Sequence, residues 1–107
     1  MPRKWGSIAV DPAKQVAGFS KGMETDRRAE KAAIKDCKFR GGKSCKLETT
    51  YSNQCVGMVV GKNSIFRTAR AETEGKALHF AMTICEYESG VKCQIYYAGC
   101  SFADRVN

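Results

Sequence analysis

The sequence predicts an α+β fold made by internal duplication: two β-β-α-β units forming a mostly antiparallel sheet with two packed helices, stapled by disulfides. Three observations carry this prediction. Six cysteines lie at 37, 45, 55, 85, 93 and 100, and two pairs of them are eight positions apart. A shift of 48 positions places Thr25 on Thr73, Ala29 on Ala77, Ala33 on Ala81, Cys37 on Cys85 and Cys45 on Cys93. In each half, β-rich runs flank one stretch of helical periodicity in the same order.

A chain of 107 residues is expected to be one domain spanning 1–107, with repeats at about 5–52 and 55–100. Neither repeat buries much alone, so the halves are expected to share one core. Hydrophobic residues make up 43% and charged residues 27%, which excludes a disordered chain. No apolar run approaches the roughly 18 residues of a membrane span.

The first unit opens with a strand from Trp5 to Val10, stopped by the turn signal Asp11-Pro12. Its Gly6-Ser7-Ile8-Ala9-Val10 aligns with Gly57-Met58-Val59-Val60-Gly61 after a three-residue adjustment. A second short strand covers Gln15 to Ser20. Within it, Ala17-Gly18-Phe19-Ser20 matches Ser64-Ile65-Phe66-Arg67 more loosely. Thr25 is an N-cap, its side-chain oxygen accepting from an otherwise unpaired N–H. Asp26 then sits at the positive end of the helix dipole. The helix runs to about Cys37, before Gly41-Gly42, and Cys45 to Tyr51 alternates as a strand. Asn53 and Gln54 bridge the units.

The second unit repeats the order. Cys55 to Val60 is a strand, Gly61-Lys62-Asn63 a turn, and Ser64 to Thr68 a strand. A helix spans about Thr73 to Tyr87 and stops at Gly90, and Lys92 to Tyr97 is the last strand. Ala77, Leu78, Phe80, Ala81, Met82, Ile84 and Cys85 leave this helix only a narrow polar stripe of Lys76, His79, Thr83 and Glu86, so it is expected to be deeply buried. The first helix has a thin small-residue face of Ala29, Ala32, Ala33 and Cys37.

Six cysteines allow 15 pairings. The equal spacing selects Cys37 with Cys45 and Cys85 with Cys93, each joining a helix end to the next strand, and leaves Cys55 with Cys100. The competing reading is a metal site. No C-x-x-C is present and His79 is the single histidine, which argues against zinc. No metal and no cofactor is therefore expected. Disulfides imply an oxidising place: the periplasm, the cell surface or outside. The opening Met1-Pro2-Arg3-Lys4-Trp5 has no apolar core of a signal peptide, so the expectation is a mature domain whose export signal has been removed.

The net charge is +7 and it is uneven. Residues 1–52 hold 12 basic and 6 acidic side chains, whereas residues 53–107 hold 6 and 5. On the first helix Arg27, Lys31, Lys35 and Lys38 line up at spacings of four, four and three, with Arg28 beside them. Arg40, Lys43 and Lys46 continue the basic region. Such a field attracts acidic proteins, nucleic acid or anionic envelope polymers. The alternative is a solvated surface that keeps a small protein in solution.

Catalytic candidates are sparse. His79 is the one conventional base near neutral pH. Ser64 and Ser101 are available hydroxyls, but no G-x-S-x-G elbow exists. Glu72 with Glu74 and Glu86 with Glu88 stand near the two ends of one helix and read as solvated charges, not as a pair set across a cleft. No phosphate loop is present. Nucleic-acid binding would want aromatic platforms among the basic residues, and Tyr51, Tyr87, Tyr96 and Tyr97 are not interleaved with them.

Trp5-Gly6-Ser7-Ile8-Ala9-Val10, the helix with Ala29, Ala33 and Cys37, then Cys45, Cys55-Val56-Gly57-Met58-Val59 and the second Ala77-Leu78 to Cys85 resemble a bacterial family of exported proteins, the domain of unknown function numbered 4189. The resemblance runs from about Trp5 to Cys100. That family usually closes with W-x-C-N, where this chain has Tyr97-Ala98-Gly99-Cys100. The resemblance implies export and a shared fold, and it brings no catalytic residues.

The expected function is that of an exported, non-enzymatic binding protein with an acidic protein partner. One concrete form is an inhibitor or immunity protein against an envelope-acting toxin or hydrolase. The expected partner-binding residues are Arg27, Arg28, Lys31, Lys35, Lys38, Arg40 and Lys43. The alternatives are a secreted effector acting on a host or competitor cell, and a small envelope hydrolase using His79.

Overall fold

The computed structural model describes residues 4–62 and 65–102. The expected turn residue Asn63, Ser64 as strand start and candidate nucleophile, and the opening Met1-Pro2-Arg3 lie outside them. Six strands and two helices follow one another as β1 (Trp5–Asp11), β2 (Val16–Met23), α1 (Asp26–Phe39), β3 (Lys46–Ser52), β4 (Gln54–Val60), β5 (Phe66–Ala71), α2 (Glu74–Ser89) and β6 (Gln94–Ser101). A 3-10 turn over Pro12–Lys14 links β1 to β2.

The chain divides into two compact units, one built on the residues up to Asn53 together with Ser101 and Phe102, and one on Gln54–Cys100. Each contains a three-stranded sheet, ordered β2-β1-β3 in the first and β5-β4-β6 in the second. The strands expected to form one sheet thus form two, and each unit has its own first strand at the centre. The chemistry of the connections explains the shared order. The second strand folds back on the first through a short turn, giving antiparallel pairs such as Ile8 with Phe19 and Met58 with Thr68. The third strand returns only after the helix, so it meets the free side of the first strand. In the first unit it does so antiparallel, Gly6 opposite Tyr51.

Both helices begin as their threonines predict. The Thr25 hydroxyl accepts the Arg28 amide at 3.1 Å and the Thr73 hydroxyl accepts the Lys76 amide at 3.1 Å. Each satisfies one of the unpaired donors of a first helical turn. α2 ends at Gly90, whose φ of +72° suits a residue without a β-carbon, and its amide donates to the Glu86 carbonyl at 2.9 Å.

α1 lies against β1 and β2, and α2 lies against β4 and β5. The faces that make these contacts are equivalent: Ala29, Ala33 and Cys37 on α1, Ala77, Ala81 and Cys85 on α2, all fully buried. Small side chains bring the helix backbone close to the sheet. A β-carbon at Gly18 would collide with the Cys37 amide nitrogen and the Ala33 carbonyl. One at Gly57 would come within 2.6 Å of the Leu78 nitrogen. In the first unit Ala9, Ala33 and Cys37 form a core cluster with Val16, Ile34 and Cys45 packed on it. In the second, Val59, Ala81, Cys85 and Cys93 do the same with Ala69, Leu78 and Met82.

The expectation that α2 is deeply buried is corrected. Phe80 is 48% exposed, Ile84 44% and Tyr87 89%. The sheet offers the helix one face, and the small-residue stripe fills it. The larger apolar side chains therefore project to the flanks and outward. The strands also run past their expected ends, β2 to Met23 and β5 to Ala71, because their ladders continue through Trp5 opposite Met23 and Cys55 opposite Ala71.

Three disulfides join Cys37 to Cys45, Cys85 to Cys93 and Cys55 to Cys100. The first two fasten a helix to the following strand at equivalent places in the two units. The third ties the beginning of β4 to the end of β6.

Candidate functional site

The basic surface of the first unit is built on α1 and the turn that follows it. Arg27, Arg28, Lys31, Lys35, Lys38, Arg40 and Lys43 are all exposed. The buried Ala29, Ala33 and Cys37 fix the rotation of the helix, which turns these cations to solvent. They are not equivalent. Arg28 is 3.5 Å from Glu24, which precedes the N-cap, in an exposed pair four positions apart. Arg40 is held more firmly. Its Nε donates to Asp36 Oδ2 at 2.9 Å, and the same oxygen accepts the Phe19 amide of β2 at 3.0 Å. The Arg40 guanidinium also lies 5.7 Å from the centre of the Phe19 ring, within cation–π range. Among the described residues, Lys31, Lys35, Lys38 and Lys43 have no ion-pair partner.

The turn carrying Lys43 is anchored from below. Asp11 is 2% exposed, and its Oδ2 accepts the Lys43 amide at 2.8 Å and the Ser44 amide at 2.9 Å. Its Oδ1 accepts the Lys14 amide at 3.3 Å, capping the 3-10 turn. The Ser44 and Lys43 amides hold the carboxyl below the ordinary aspartate range, outweighing the opposing effect of burial. The turn signal at Asp11-Pro12 accounts for the Lys14 contact alone, because Lys43 and Ser44 lie more than thirty positions away and no local pattern announces them.

Phe39, the last residue of α1, is a second residue that no sequence pattern marks, and it is 88% exposed between Lys38 and Arg40. An aromatic does stand inside the basic region.

The catalytic candidates are dispersed. His79 is exposed on α2, its ring 6.0 Å from that of Phe80, and its carbonyl accepts the Thr83 hydroxyl at 2.8 Å. Ser101 is buried, and its hydroxyl accepts the Gly22 amide at 3.2 Å. The acidic pairs are split among separate partners. Glu72 is 3.8 Å from Lys76, and Glu86 accepts the Cys93 amide at 3.3 Å. Glu88 makes a two-pronged pair with Arg67, at 2.5 and 3.2 Å. The Arg67 guanidinium holds the Glu88 carboxyl below its usual range. Glu86 and Glu88, read as solvated charges, instead bind the start of the last strand and the side of β5. Among the described residues no three His, Cys, Asp or Glu side chains gather as a metal site requires.

A family model described as a domain of unknown function, DUF4189, matches residues 5–100. The chain belongs to the DUF4189 family. The chain has no significant match among curated proteins or solved structures. For this DUF4189 chain, then, the chemistry of its own surface has to carry any functional reading. No helix among the described residues is long and apolar enough to cross a membrane.

Proposed function

We propose that this DUF4189 protein is an exported, non-enzymatic binding protein whose α1 surface docks an acidic protein, in the manner of an inhibitor or immunity protein. The observation that supports this most is the set of exposed lysines on a stapled helix: Lys31, Lys35, Lys38 and Lys43 have no internal carboxylate among the described residues to neutralise them. Charges paired internally contribute little to an encounter, whereas free ones steer a partner of opposite sign. Three disulfides support export, since thiols in a reducing cytosol stay open.

The test is recovery of a partner from periplasmic extract by wild type and by Lys31→Glu/Lys35→Glu, followed by titration of the purified pair. The reading expects recovery to fall at least tenfold in the variant and binding to weaken as salt rises. Equal recovery of the same partner by both proteins removes the basic surface from the account. Growth arrest on export of the wild type alone would favour the effector reading.

A further inference from the structure

Phe39 and Arg40 occupy neighbouring positions at the C-terminal end of α1, and both break the pattern of the rest of the basic surface. Phe39 buries almost none of its ring, at 88% exposure. An apolar side chain this exposed gains almost nothing for the fold there, so its whole ring is available for burial against a partner. Arg40 differs from the lysines in being held. Asp36 grips its Nε at 2.9 Å, and Phe19 supplies both an amide to Asp36 and a ring beside the guanidinium. Only the Nε edge is used in this clamp, so the terminal nitrogens remain free to face outward with little rotamer entropy left to lose. The lysines are flexible point charges by comparison. Exposed aromatics and positioned arginines are the side chains that dominate protein interfaces, and flexible rim charges chiefly set the encounter rate.

The duplication supplies an internal comparison. The position equivalent to Phe39 is Tyr87, which is 89% exposed. An outward aromatic therefore stands at this place in both units, and packing requires it in neither. The surroundings differ. Tyr87 is flanked by Glu86 and Glu88, and Glu88 is already committed to Arg67. Only the first unit combines the ring with a basic rim, in Lys38, Arg40 and Lys43.

Resting on the reading of α1 as a partner surface, we infer that Phe39 and Arg40 are its anchor, and that they take an apolar side chain flanked by carboxylates on an acidic protein. The ring covers the apolar group, Arg40 grips one carboxylate through its free edge, and Lys31, Lys35 and Lys38 steer the approach. Charge complementarity selects this occupant, because an apolar partner without carboxylates would leave the basic rim buried and unpaired.

The experiment measures binding of the full chain to two polymers, poly-L-glutamate and a glutamate–tyrosine copolymer, with inorganic polyphosphate as a third arm. Wild type is expected to bind the copolymer about fivefold tighter than poly-L-glutamate. Phe39→Ser should erase that preference, and Tyr87→Ser should leave it intact. Arg40→Lys keeps the charge and should weaken both polymers about fivefold, in line with loss of an exposed, geometrically fixed pair. Asp36→Asn separates anchoring from net charge. It makes the surface more positive, so a surface acting by charge alone binds tighter, whereas a released Arg40 binds more weakly. Normal binding by Phe39→Ser and Arg40→Lys, or tighter binding by Asp36→Asn, overturns the anchor while leaving the basic surface in place. Tighter binding of polyphosphate than of the copolymer overturns the carboxylate partner. If Lys31→Glu/Lys35→Glu binds the polymers as wild type does, the basic-surface reading itself falls, and the anchor with it.

Discussion

The Asp11 carboxylate accepts the Lys43 amide at 2.8 Å, tying the end of β1 to the turn that presents one of the surface lysines. The adjacent Ser44 amide shares the same oxygen, so the loop between α1 and β3 is fixed at its middle as well as by the Cys37–Cys45 bond. A buried carboxylate with several amide donors is stabilised in its charged form.

That relationship predicts how stability depends on pH. The folded carboxyl titrates below its ordinary range because the Ser44 and Lys43 amides bind its anion. In the unfolded chain it returns to its ordinary value. Asp11 therefore contributes stability above the ordinary aspartate value, and that contribution is lost as pH falls through the lower folded value. Glu88 follows the same sign through Arg67. Asp11→Asn should lower the denaturant midpoint at pH 7 and flatten the acid side of the stability curve. A variant whose midpoint falls with acid as steeply as wild type would place the clamp elsewhere.

The caps predict a symmetric result. Thr25→Ala and Thr73→Ala each remove one side-chain acceptor from a first helical turn, and each should cost about 1 kcal/mol. Thr25→Ser and Thr73→Ser keep the oxygen and should restore most of it. Chemical denaturation of the four variants checks this. A loss confined to one helix would mean that the equal geometry of the two caps hides unequal use of them.

How much of this was legible in the sequence depends on the range of the interaction. The caps, Gly90, the small-residue stripes and the cysteine pairs recur at a fixed offset, so the repeat itself exposes them. The Asp11 clamp and the Asp36–Arg40–Phe19 set join segments whose separations carry no periodic signal. The depth of α2 departs from the periodicity for a different reason. Phe80 and Ile84 fall at apolar helical positions, but a helix laid on one sheet face buries only the residues at the contact line. The exposed cations on α1 were readable because charge resists burial whatever the fold. Which of them is held, and which is free, required the neighbouring strand.

The contrast along α2 can be measured directly. Tyr87→Ser should leave stability within about 0.5 kcal/mol of wild type, as expected of an exposed position. Ala81→Leu inserts a larger side chain into the contact with β4 and β5 and should cost about 3 kcal/mol. Thermal or denaturant melts of the two variants give the comparison. A large loss from Tyr87→Ser would show that its ring is covered in solution.

The three disulfides should differ in strength with the length of chain they close. Cys37–Cys45 and Cys85–Cys93 each span 8 positions, and Cys55–Cys100 spans 45. In the chain-entropy account this corresponds to about 2.5 kcal/mol for each short bridge and about 4 kcal/mol for the long one. Replacing both cysteines of a pair by serine, one pair at a time, and measuring unfolding in guanidinium chloride tests that order. The two short bridges should give matching losses, since each closes the same helix-to-strand step in its own unit. A larger loss at Cys37–Cys45 than at Cys85–Cys93 would mean that the first bridge does more than limit the unfolded chain. The added stability would then reside in the native turn that Asp11 holds. The two causes part cleanly in an Asp11→Asn background, where the excess should vanish and the entropic share should remain.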